Sequence, residues 1–282
     1  MELENLENAI AKLESIDSSS EYAYEKALLA FISIKQLPIL IYTLPAGTFL
    51  FRTRTHNNED FFHSVDEINL PPSQFIKDFA RCNRPFQSVF YASENRPTSF
   101  MELVEYWAET KNFGETLDVT IGRWELLNPL DLILVTSPNP KNRISEFDKY
   151  HGTALDGFLE EQQGEAREAA TRFFEYMFSK YRKPAKNDLL TYIITTAYSN
   201  LAILHGNGNV HGIYYPSVLF GQQGVNIAIN QEFSRDNNLR LTHVVKNTFR
   251  IDENELGKHS FTETNRIMTE NIDWENKVIN WE

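Results

Sequence analysis

Val89-Phe-Tyr-Ala-Ser-Glu-Asn-Arg-Pro-Thr-Ser-Phe-Met-Glu102 places a strand and the opening of a helix side by side. Ser88 to Ser93 is apolar and β-prone and reads as a strand. Arg96-Pro97 then starts a helix, because proline suits the first helical turn. That helix runs from about Thr98 to Lys111, with Phe100, Leu103, Val104 and Trp107 as its apolar stripe. Tyr91 therefore sits near the end of an apolar strand, and Glu102 follows it on the first turns of a helix.

Working toward the N-terminus, Ala80-Arg-Cys-Asn-Arg-Pro85 is a turn, and His56 to Pro72 is irregular. Thr48 to Thr55 reads as a strand after the turn Leu44-Pro-Ala-Gly47. Its period-two alternation puts Phe49 and Phe51 on one face and Leu50, Arg52 and Arg54 on the other. Leu3, Leu6, Ile10, Leu13 and Ile16 recur at helical spacing, and a second helix spans about Glu21 to Lys35. These N-terminal helices read as a packing or self-association extension.

Toward the C-terminus, strands are expected at Thr116–Leu126 and Asp131–Thr136. A polar connection follows at Pro138–Tyr150, then one long amphipathic helix over about Ala154–Tyr181. Another helix, capped by Asn187 or Asp188, ends at His205-Gly-Asn-Gly-Asn209. Val210–Tyr215 and Gly224–Asn230 read as strands joined by a Gly/Gln turn, with a last strand at Leu239–Phe249. Strands and helices mix without a βαβ rhythm, which indicates an α+β fold. The expected organisation is an N-terminal helical extension over residues 1–43. Residues 44–282 form the main domain, with a helical insertion around 138–185.

The 282 residues include 20 Phe and 12 Tyr, enough to build a sizeable core and to exclude global disorder. A net charge of −12 disfavours general binding to nucleic acid. Cys82 is the single cysteine, so disulfide frameworks and multi-thiolate zinc sites are excluded. The acidic N-terminus lacks an export signal, and Lys35, Gln36 and two prolines interrupt the most apolar early stretch. A cytoplasmic protein without a membrane span is expected. No His pair has helical zinc spacing, and no Walker loop or nucleophile elbow occurs, so no metal or resident cofactor is expected.

Seven short pieces occur in a fixed order. They are Phe51-Arg-Thr-Arg54, Ala80-Arg-Cys-Asn-Arg-Pro85, Val89-Phe-Tyr-Ala-Ser93, Thr98-Ser-Phe-Met-Glu102, Gly122-Arg-Trp124, His211-Gly-Ile-Tyr-Tyr-Pro-Ser217 and Gly224-Val-Asn-Ile-Ala228. Over roughly Thr48 to Asn230 this pattern resembles the RES domain family. That family includes the toxins of bacterial RES–Xre toxin–antitoxin pairs and solitary proteins. The resemblance implies an ADP-ribosyltransferase-like mixed β core with surrounding helices, and consumption of NAD⁺ as substrate. It places the family's arginine on Arg52, with Arg54 a close alternative, and a second arginine on Arg81. The family's tyrosine falls on Tyr91, its glutamate on Glu102 and its serine on Ser217. Ala80 stands where the family commonly has Gly, and His211 where it has an acidic residue or Asn.

The chemistry of NAD⁺ gives those residue types work. Breaking the nicotinamide–ribose bond passes through an oxocarbenium-like transition state. Arg52 and Arg54 share a strand face, and arginine holds phosphate through a planar fork; solvated surface arginines are the ordinary alternative. Arg81 either contacts phosphate or ribose or pairs structurally, and Asn83 fixes its turn. Tyr91 offers a ring to stack on nicotinamide and a hydroxyl to hydrogen-bond. Glu102 stays ionised near the helix N-terminus and stabilises developing positive charge. Ser217 orients substrate or caps a turn. Cys82, Trp107 and Trp124 read as core.

The expectation is a hydrolase or glycosyltransferase acting as NAD⁺ glycohydrolase, phosphorylase or ADP-ribosyltransferase. Arg52, Tyr91 and Glu102 are its catalytic candidates; Arg52, Arg54, Arg81, Tyr91 and Ser217 bind NAD⁺. The alternative is an inactive nucleotide- or protein-binding module on the same fold. The family implies a separate Xre-type antitoxin as partner, and the N-terminal helices leave self-association open.

Overall fold

The computed structural model describes residues 2–56, 60–108, 110–184, 188–217, 224–235 and 237–281. Asn187, the side chains of Glu105 and Trp107, and the turn at 218–223 lie outside the described residues.

Two helices, α1 (Leu3–Glu14) and α2 (Ala23–Ile32), lead into β1 (Ile41–Leu44) and β2 (Phe49–Thr55). A four-residue helix, α3 (Val65–Ile68), interrupts the segment expected to be irregular, because Ser64 and Glu67 form a capping box. Next come β3 (Val89–Ser93), α4 (Arg96–Ala108), β4 (Thr116–Leu126) and β5 (Leu130–Leu134). Asn95 caps α4: its side-chain oxygen accepts from the Thr98 N–H at 2.9 Å.

The expected long helix is two helices. α5 (Glu146–Glu161) starts within the predicted polar connection, where the Ser145 hydroxyl accepts from the Asp148 N–H. α6 (Gly164–Arg182) starts at a glycine with φ +53°, a left-handed conformation that breaks helical continuity. α7 (Leu189–His205) is capped by Asp188 and ends at Gly206, as the sequence predicts. β6 (Gly212–Pro216), β7 (Val225–Asn230), α8 (Gln231–Arg235) and β8 (Leu239–Glu253) follow. β9 (His259–Thr269) forms a hairpin with β8 that the charged tail did not announce; β10 (Ile272–Asp273) and β11 (Val278–Ile279) close the chain.

Among the described residues, β1 to β9 form one sheet in the order β1-β5-β6-β7-β3-β2-β4-β8-β9. Among these described strands only β5 and β6 run parallel. The fold is therefore α+β with a mixed sheet. Ile133, Ile213, Tyr215 and Ala228 on one face pack against α1, α2, α6 and α7 in a single buried cluster. Phe31 meets Tyr198 with ring centroids 5.8 Å apart, and Lys180 pairs with Glu14 at 2.8 Å. Residues 43 and 44 both lie within β1, and the N-terminal helices, read as a packing or self-association extension, share a core with α6 and α7. The opposite face buries Phe90, Trp124, Leu132 and Tyr214 beneath α3 and the C-terminal segment. Cys82 and Trp124 are buried, as expected. Among the described residues, no helix is long and apolar enough to cross a membrane.

Asp148, in the first turn of α5, is fully buried, and neither carboxylate oxygen has a donor in hydrogen-bond geometry. Burial pushes its pKa up to about 6, against the opposing pull of Ser145, Arg182 and Arg143. A raised folded pKa favours the neutral form. The group's contribution to stability is full below its unfolded pKa of about 3.9 and is lost as pH rises through about 6. Asp148→Asn is expected to stabilise the fold by about 1–3 kcal/mol at pH 7.5 and by nothing below pH 4. Urea unfolding at both pH values checks this.

Candidate active site

The sheet is nearly two sheets. β2 pairs with β4 along its whole length, from Phe49 to Thr55, and β3 pairs with β7 from Val89 to Ser93. Between them β2 and β3 share one pairing position, Phe51 with Ser93. Where they splay apart lies a cavity of about 570 Å³. That size falls in the range of roughly 300–1,000 Å³ typical of small-molecule pockets. Arg52, Arg54, Arg81, Tyr91 and Glu102 all line it, so strands, a turn and a helix distant in sequence converge there.

Arg52 is 5% exposed, which overturns the solvated-strand alternative. Its Nη1 donates to the Tyr91 carbonyl oxygen at 2.7 Å, across the gap between the strands, and its guanidinium lies over the Phe90 ring. Its Nε is buried without a partner. Burial, then the neighbouring Arg54 charge, pulls its pKa well below the usual arginine value. Arg54 donates from Nη2 to the Asn69 carbonyl at 2.9 Å, and its Nε is likewise buried and unpartnered. Burial lowers its pKa too. Among the described residues neither arginine forms an ion pair. Two desolvated cations without a carboxylate are an unmet demand for an anion.

Arg81 is committed differently. Its guanidinium donates to the Lys180 and Lys183 carbonyls at 2.8 and 3.0 Å, closing the C-terminal end of α6. Of the two roles expected, the structural one accounts for these donors, and the partners are carbonyls rather than an acid.

The Tyr91 ring is partly exposed to the cavity, but its hydroxyl is occupied. It accepts from the Cys82 N–H at 2.8 Å and donates to Asn83 Oδ1 at 2.9 Å. Burial raises its pKa well above that of a free tyrosine. The ring face is thus available to a ligand and the hydroxyl is not. Asn83 fixes its turn, as expected, by donating to the Arg84 carbonyl at 3.2 Å.

Glu102 is half-buried on α4 and accepts a hydrogen bond from the Ser217 hydroxyl. It lies about two turns into the helix, beyond the first turn over which the helix dipole acts strongly. The expected dipole effect is therefore small; the Ser217 hydroxyl is the polar group that orients the carboxylate. Ser217 itself is fully buried, and its backbone N–H donates to the Gly224 carbonyl at 2.8 Å.

Gly224 is the reason β7 can approach α4. A Cβ there would meet Thr98 Oγ1 at 2.0 Å and Cγ2 at 2.6 Å. Gly224→Ala is expected to cost about 1–3 kcal/mol by overpacking, and Thr98→Ala in the same chain to recover part of the loss. Thermal unfolding of the two variants measures both effects.

Other lining residues were not singled out from sequence. Ser93 donates to Asn226 Oδ1 at 2.8 Å, and Thr53 and Ser99 share a hydrogen bond at 2.8 Å. Strand alternation from Tyr91 signals Ser93, but nothing local signals Tyr192, which arrives from α7. His211 lies against Phe233 rather than in the cavity. Among the described residues, no cluster of three metal-ligating side chains occurs.

The family model of the RES domain matches residues 50–247, more than two-thirds of the chain. The chain belongs to the RES domain family. No curated protein matches it. The RES match spans Arg52 on β2 and the Tyr91–Glu102 unit, which line the cavity, and Ser217, which does not line it and reaches it only through Glu102. The match begins after α1, α2 and β1, so two of the four helices that brace one face of the sheet, α1 and α2, lie outside it, while α6 and α7 lie within it.

Proposed function

We propose that this protein consumes NAD⁺ by cleaving its nicotinamide–ribose bond. One observation carries the reading: a carboxylate oriented by a buried serine shares a cavity with two desolvated arginines that, among the described residues, have no acid partner. Arg52 and Arg54 meet the pyrophosphate through charge-assisted hydrogen bonds. The Tyr91 ring provides a face for a planar base. As the bond breaks, its electron pair leaves with neutral nicotinamide, and positive charge develops on the ribosyl carbon. Glu102 stabilises that charge. Water, phosphate or a protein side chain then captures the ribosyl carbon. The products are ADP-ribose, its 1″-phosphate or a modified protein.

Membership of the RES family is consistent with an NAD-related toxin role. An acidic enzyme of net charge −12 is electrostatically suited to a basic, separate Xre-type antitoxin. Overexpression is expected to deplete NAD⁺ and arrest growth of the host cell. The deciding measurement is nicotinamide release from NAD⁺ by the purified protein, with and without phosphate. Release stimulated by phosphate identifies the acceptor. Growth with unchanged NAD⁺ levels, together with no release by the folded protein, removes the reading.

A further inference from the structure

Three buried threonine and serine residues of α7, Thr195, Thr196 and Ser199, sit within five positions of one another, and of these Thr196 is the one that makes no hydroxyl bond within its own helix. Thr195 bonds the Tyr192 carbonyl and Ser199 the Thr195 carbonyl, the usual local bonds of helical hydroxyls, and Ser199 also shares a hydrogen bond with the Tyr181 hydroxyl of α6 at 2.6 Å. Thr196, fully buried, instead donates out of the helix to the Ala80 carbonyl at 2.7 Å, with the Asn83 carbonyl at 3.3 Å.

Those carbonyls belong to the turn that holds Tyr91. The turn is closed by the Ala80 N–H donating to the Asn83 carbonyl at 3.0 Å. Its Cys82 N–H and Asn83 side chain are the two partners of the Tyr91 hydroxyl. The Asn83 amide also donates to a backbone carbonyl, so it cannot rotate without losing a bond at each end. The β3 strand sets the position of the Tyr91 backbone, but the turn sets its ring. Thr196 does not line the cavity.

We propose that Thr196 and Asn83 are positioning residues that hold the Tyr91 ring as the cavity wall, so that the helical layer sets the site's affinity for its nucleotide. The inference rests on the NAD⁺-cleavage reading for its assay only. A freed turn lets the ring tilt into space the ligand occupies, which weakens binding more than chemistry.

The test compares wild type, Thr196→Val, Thr196→Ser, Tyr91→Phe and the Thr196→Val/Tyr91→Phe double variant. Valine keeps the volume and removes the donor; serine restores it. Thr196→Val is expected to raise KM for NAD⁺ about tenfold, with kcat within about threefold of wild type. Thr196→Ser is expected to return KM to within about twofold of wild type, and the double variant to bind no worse than the weaker single one. A Thr196→Val variant with a lower melting temperature but unchanged KM overturns the proposal. So does a serine variant that fails to restore KM, or a fully additive double variant. If wild type releases no nicotinamide, calorimetry with ADP-ribose reads the same five proteins. The same pattern in Kd sustains the positioning role while the cleavage reading falls; no binding, or a Kd indifferent to Thr196, overturns it.

Discussion

Replacing Glu102 by Gln is expected to lower kcat for nicotinamide release about 10²–10³-fold. The substitution is nearly isosteric, and the amide oxygen still accepts from the Ser217 hydroxyl, so the contact that joins α4 to the segment after β6 survives. What disappears is the negative charge. In a cavity flanked by two desolvated arginines, that charge is the group available to offset a ribosyl cation. Because the interaction is made in the transition state rather than the ground state, KM is expected to stay within a few-fold. Folding stability is expected to change by less than about 1 kcal/mol, since the carboxylate is half-exposed. A Gln variant that retains more than a tenth of wild-type kcat would show that the carboxylate does not stabilise the reacting centre.

Replacing Arg52 by Met is expected to weaken ADP-ribose binding about a hundredfold while leaving the melting temperature within a few degrees of wild type. The two effects oppose each other for a physical reason. Folding places the Arg52 cation in a desolvated environment where, among the described residues, its Nε has no partner and no carboxylate pairs with it, and that costs folding free energy. Methionine removes the cost but leaves the Tyr91 carbonyl without its donor, and the two changes nearly cancel. Binding has no such compensation, because the anion loses its desolvated partner. Arg52→Lys keeps the charge but loses the planar fork, so its affinity is expected to fall between the two. Calorimetry and thermal unfolding on the same samples decide the matter. Binding unaffected by the methionine variant would move the anion site to Arg54.

Much of the architecture was legible because it is written in local periodicity. The apolar alternation of β2 and β3, the Pro97 helix start and the 3.6-residue stripe of α4 each need only neighbours within one turn or one strand. The misreadings have local causes as well. Extended Gln162 and Gln163 and the left-handed Gly164 separate α5 from α6 inside a continuous amphipathic pattern, a break that only the backbone shows. β9 is an exposed edge strand with little apolar alternation, and its pairing with β8 reveals it. In the candidate site, the order of Arg52, Tyr91, Glu102 and Ser217 was visible as a family pattern. The commitment of each polar group was not. Arg81 and Tyr91 each offered a donor on paper, yet Arg81 is occupied by carbonyls 99 and 102 residues away. The Tyr91 hydroxyl is taken up by its own turn.

By itself, the amino-acid sequence determined which residue types stand on which strand or helix, the α+β class and the RES membership. These follow from short-range spacing and from the order of the motifs. Tertiary structure alone decided that β2 and β3 part after one pairing position, and that the opening becomes the cavity. It also decided that Ser217 reaches Glu102 across 115 residues, and that Arg52 lies buried with no acid paired to it among the described residues. Hydrogen bonding and desolvation depend on what the folded chain brings within a few ångströms, and that proximity has no period in the sequence.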